Sequence, residues 1–164
     1  MPDCAHACIQ IGGVLAERLV ESLADEFFVA RLGMEWGNPF ASAPEAEVAV
    51  RGAAALNAPL TLMAFDAPGG KFEELEHFCV ANGLAFKRGD DGHPSWQETV
   101  VLFQPGMARP REWAGSKDDY IPQLSVDEIS EHLAAGTLHD ELLMMAAAAH
   151  FEVPIVIEAE AEAA

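Results

Sequence analysis

Basic residues are scarce in this chain, and after Lys117 there are none. Nine Lys and Arg stand against 27 Asp and Glu, a formal net charge of −18. Eleven of those acids follow Lys117. A surface of that sign repels phosphate backbones, so direct nucleic-acid binding is not expected. What remains is a solvated acidic face, a basic protein partner, or an acidic nucleic-acid mimic that inhibits a DNA-binding protein.

Cysteine is sparse too. Cys4, Cys8 and Cys79 cannot all pair, and Cys79 falls on an apolar helix stripe, so the expectation is a reduced, cytoplasmic protein. No apolar run approaches the roughly 18 residues of a membrane span, and no membrane association is expected. The opening MPDCAHACIQIGGVL has neither the basic start nor the long apolar core of a secretory signal. The Walker spacing, G-x-G-x-x-G, H-E-x-x-H and G-x-S-x-G are all missing, and no cofactor is predicted.

What is present is an ordinary globular composition, 51% hydrophobic over 164 residues. A chain of this length buries about two-thirds of its unfolded surface in one domain, placed at residues 1–157, with 158–164 as an acidic disordered tail. The stretch Leu60–Arg88 organises the rest, reading as strand, tight Pro68-Gly69-Gly70 loop, helix, Asn82-Gly83 stop and second strand. Phe72, Leu75 and Cys79 fall at helical spacing. Ahead of it, Ala5–Gly12 predicts a strand ended by Gly12-Gly13, and Leu15, Leu19 and Leu23 a helix over about 15–25. The period of two from Phe28 to Trp36 predicts a half-buried strand. Ser42-Ala43-Pro44-Glu45 opens an Ala-rich helix ending near Leu56.

After the central unit, Glu98–Gln104 is a strand expected to pair antiparallel with Leu84–Arg88. From Pro105 to Leu124 periodicity is lost, and a long irregular loop is expected. Ser125-x-x-Glu128 opens a short helix stopped at Gly136, and Leu138 to about His150 completes a C-terminal helical pair over 125–150. Phe151–Ile157 reads as extended. The expected fold is α/β (α+β): a two-layer sandwich of a mixed, mainly antiparallel sheet with helices on one face, in a split β-α-β, ferredoxin-like arrangement, plus the helical pair.

Four residues are candidates for chemistry. Asp66 ends the central strand before a helix N-terminus, where ligands of open α/β sheets gather. Asp90, Asp91 and His93 form the densest polar cluster, a donor set suited to a divalent metal or to acid–base work. Each also fits a capping or turn role. Cys4, His6 and Cys8 would share one strand face, but structural zinc sites take four ligands. The strongest interaction signal is the Met- and Ala-rich C-terminal helix, with Leu138, Leu142, Met145 and Ala149 on one stripe. The leading expectation is therefore a non-enzymatic domain that binds a protein partner, basic in charge, or associates with itself as a homodimer. An enzyme or metal-dependent binding module using Asp66, Asp90, Asp91 and His93 is the alternative.

FEELEHFCVANGLAFKR, with the later Val101-Leu102-Phe103-Gln104-Pro105-Gly106-Met107, resembles small uncharacterised bacterial proteins with no assigned function. The resemblance covers about residues 60–110 and implies a bacterial cytoplasmic domain. It brings no catalytic residue with it.

Overall fold

A computed structural model describes residues 3–161. Seven strands form one mainly antiparallel sheet in the order β2-β1-β3-β4-β5-β6, with β7 beside β1. They are β1 (Cys4–Ala16), β2 (Leu60–Pro68), β3 (Ala85–Asp90), β4 (Thr99–Phe103), β5 (Arg111–Gly115), β6 (Pro122–Gln123) and β7 (Ile155–Glu158). The helices are α1 (Val20–Val29), α2 (Ala43–Ala55), α3 (Glu73–Ala81), α4 (Val126–Ala135) and α5 (Leu138–Ala149). Among the described residues no helix is long and apolar enough to cross a membrane.

The central unit folds as its sequence predicts. β2 and β3 are both antiparallel to β1, hence parallel to each other, with α3 crossing between them. That is the split β-α-β unit. The rest of the sheet is a meander, β3–β4–β5–β6, with the expected antiparallel pairing of Arg88 with Val101 at its start.

The two faces of the sheet are covered differently, because alternate residues of each strand point to opposite sides. On the first face, Ile9, Ile11, Leu62, Phe86 and Val101 pack with Leu23 and Phe27 of α1, Val50 of α2, and Leu75 and Cys79 of α3. On the second, Ala85, Val100, Leu102 and Trp113 pack with Ala148 of α5 and with Phe151. The C-terminal helical pair therefore caps the β4–β5 half of the second face. The β2–β1 half of that face carries no helix from this cluster.

Three local readings change. Phe28–Trp36 is not a strand: α1 runs to Val29, burying Val20, Leu23, Ala24 and Phe27 at helical spacing, while Phe28, Val29 and Trp36 are exposed. Only Gly33 of that stretch bridges to Met63. The first strand does not stop at Gly12-Gly13 but continues to Ala16, pairing in parallel with β7 from Gly13 onward. Gly12 is there for room, since a Cβ on it would lie 1.8 Å from the Val153 carbonyl oxygen. The Pro105–Leu124 stretch is not structureless; it contains β5, held by pairing to β4 and by burial of Trp113. Of the acidic tail, Glu158 belongs to β7 and Glu160 lies 3.3 Å from Arg18. Residues 162–164 lie outside the described residues.

Candidate functional site

The four chemical candidates sit in three different settings. Asp66 is exposed within β2, where Ala5 pairs with Ala67 but Ala7 with Ala64, a bulge that sets Phe65 and Asp66 against His6 alone. The His6 Nδ1 lies 2.6 Å from the Phe65 carbonyl oxygen at this bulge.

Asp90 ends β3 on the first face and is 1% exposed. Its carboxylate accepts from Arg88 Nη1 at 3.1 Å, the Gly92 amide at 2.9 Å and Trp96 Nε1 at 3.0 Å, and from the Thr99 hydroxyl. Arg88, equally buried, also donates to the Gly70 carbonyl at 2.8 Å and meets Glu76 at 2.5 Å. This network clamps the Pro68-Gly69-Gly70 loop and α3 to the end of β3. Asp90 is thus occupied in holding the fold.

Asp91 turns to the second face and His93 into the loop beyond. The His93 ring stacks on Trp96 at 4.6 Å, accepts from the Ser95 amide at Nδ1, and stands 3.8 Å from Asp3. Both residues line an open hollow of about 570 Å3 in the β3–β4 turn. Among the described residues no three His, Cys, Asp or Glu side chains converge as metal ligands. The trio Asp90, Asp91 and His93 is therefore not brought together, nor are Cys4, His6 and Cys8 joined into such a site.

A larger groove, about 720 Å3, lies over the second face of β2, β1 and β3. Strand alternation supplies its floor: His6, Cys8 and Gln10 from β1, Thr61 and Met63 from β2, and Lys87 from β3. One wall is aromatic, with Trp36 and Phe65 stacked at 5.5 Å and His6 against Phe65 at 4.8 Å. The opposite wall is Tyr120, whose ring lies on Gly89; a Cβ there would come within 2.3 Å of it. Tyr120 is held by a compact loop in which its amide donates to the Ser116 carbonyl and its own φ is +49°. Burial, then the adjacent Asp91 carboxylate, pushes its phenol well above the ordinary range, so it stays neutral.

Burial likewise pushes the Cys8 thiol up to about 11, which makes it an apolar lining group rather than a nucleophile. Lys87 is 7% exposed, and burial lowers its pKa below the ordinary lysine value. The sequence signal for this groove was the strand alternation itself. Trp36 and Tyr120 arrive from loops, and no spacing in the chain announces them.

The expected interaction stripe lies on α5. Its buried positions are Glu141 and Ala148, with Met144 and Met145 packed partly into the second cluster. Glu141 anchors the helix, accepting from Trp113 Nε1 at 2.5 Å and Arg111 Nη2 at 2.6 Å. Leu138, Leu142 and Met145 instead line a groove of about 450 Å3 with Ile129 of α4 and Leu124. Ala149 is half-buried and outside it. No α4 residue is fully buried.

No protein-family model matches the chain, and no curated protein or solved structure matches it. The resemblance over residues 60–110 therefore adds no functional residue to those described above.

Proposed function

We propose that this is a protein-binding domain whose α4–α5 pair receives a basic amphipathic helix from a partner. The observation that carries the reading is α4 itself. Val126, Ile129 and Leu133 form a helical stripe, yet they are 78%, 36% and 63% exposed. Short helices draw most of their stability from packing an apolar face, and this one has its face uncovered beside the groove lined by Leu138, Leu142 and Met145. An apolar groove between helices is the geometry that takes an amphipathic helix.

Charge selects the occupant. Asp127, Glu131 and Asp140 are exposed on the same two helices, and no Lys or Arg follows Lys117. A second copy of the chain would bring these carboxylates against one another with no Lys or Arg on either helix to offset them, whereas flanking lysines on a partner helix would pair with them. A cytoplasmic setting fits the free thiols of Cys8 and Cys79.

Calorimetric titration with a synthetic Leu/Lys amphipathic peptide, beside a Leu/Glu peptide of equal length, tests the reading. Micromolar, salt-weakened binding of the basic peptide alone is expected, and Ile129→Asp with Leu142→Asp should abolish it while circular dichroism stays unchanged. Failure of the basic peptide to bind would end the reading. So would light scattering that shows a dimer which the same two substitutions dissociate, because the occupant would then be a second copy.

A further inference from the structure

The groove over β1, β2 and β3 contains a buried cation left without a partner. Lys87 is 7% exposed and lines the groove, because Phe86 and Arg88 on either side of it point into the first face. Among the described residues its ammonium has neither an ion-pair nor a hydrogen-bond partner. Asp91, on the same side and in the same groove, is instead engaged by the Tyr120 hydroxyl. It does not serve Lys87, since four residues of strand separate their backbones by about 13 Å. Buried polar groups are almost always satisfied, and an unpaired ammonium lining a concave site calls for an anionic ligand.

The surface beside Lys87 is apolar. Cys8 and Met63 form the floor there, with the Tyr120 ring on one side and Trp36 on the other. Such a slot takes a flat ring. Asp118 and Asp119 stand at the rim, and their charge disfavours polyanions such as phosphate esters while tolerating a single carboxylate that reaches Lys87. We propose that this groove binds a small aryl carboxylic acid, its carboxylate on Lys87 and its ring between Tyr120 and Trp36. The site is independent of the α4–α5 surface, which lies at the β6 end of the sheet.

The test uses 3-phenylpropionate, the corresponding amide and inorganic phosphate, titrated into the full chain by calorimetry and ligand-observed NMR. The acid should bind; the amide should bind about ten-fold more weakly, the loss of one charge-assisted hydrogen bond; phosphate should not bind. Lys87→Met should weaken the acid to the level of the amide and leave the amide unchanged, a result that damage to the fold would not give. If that variant does not fold, the wild-type pH profile replaces it: affinity for the acid, but not the amide, should fall at a pH below the ordinary lysine value. Equal binding of acid and amide, tighter binding of phosphate, or no binding of the acid would overturn the proposal.

Discussion

Removing the Asp90 carboxylate would leave the Arg88 guanidinium 2% exposed with its remaining partners Glu76 and the Gly70 carbonyl, and would strip acceptors from the Gly92 amide and the Trp96 indole. Breaking one side of a buried pair costs about 3–5 kcal/mol, so Asp90→Ala should lose about that much in urea unfolding, while Asp91→Asn should stay within about 1 kcal/mol. Similar losses for both would mean that Asp90 is not the anchor described above. The sequence shows these two acids as one polar cluster, yet a strand sends neighbours to opposite faces, so one became part of the core and the other a groove lining. That separation was implicit in the strand period. The partners that give each its role, Glu76, Trp96 and Tyr120, come from other elements, and no local pattern names them. Lys87 was missed for the same reason: within β3 it reads as an outward-facing residue, and its pairing with Leu102 of β4 is a long-range property.

At the scale of elements, α4 is held by its ends rather than its face. Ser125 Oγ accepts from the Glu128 amide and Glu128 Oε2 from the Ser125 amide, at 3.2 and 2.7 Å, and Gly136 closes the far end in the left-handed conformation. Ser125→Ala should therefore cost the helix about 1 kcal/mol. Because no α4 residue is fully buried, the loss should appear as faster amide exchange confined to Val126–Ala135, with little change in global melting. A melting temperature that drops with unchanged local exchange would contradict this. Capped elements such as α2 and α4 were legible because their start signals are side chains in sequence. β5 was not, since Trp113 is its one buried residue and its pairing to β4 is a long-range property. The false strand at Phe28–Trp36 had the right period but the wrong burial: Phe27, one residue earlier, completes the helical stripe instead.

The whole molecule carries −18 charges, and its titrating groups pull in two directions. Burial, with Glu74 and Asp25 nearby, pushes Glu26 above the ordinary carboxylate range, so its charging opposes folding and that stability is lost as pH rises through the raised value. Arg51 holds Glu17 low, and the Ser125 amide holds Glu128 low; their contributions exist above the ordinary value and are lost as pH falls through the lowered ones. Acidification below the carboxylate range should loosen the α4 cap, while at pH 7 raising salt from about 0.01 to about 0.15 M should raise the melting temperature by screening like charges. Amide exchange over Val126–Ala135 reads the first and scanning fluorimetry the second, and a melting temperature that falls with added salt at pH 7 would contradict the second. The sheet has one more consequence at this scale. β1 and β7 lie in parallel from Gly13–Ile155 to Ala16–Glu158, so tension between the chain before Cys4 and the chain after Glu158 drags them past each other lengthwise. Their cross-strand bonds then share the load together instead of opening one at a time, and the molecule resists stretching along that line like a lap joint rather than a zipper.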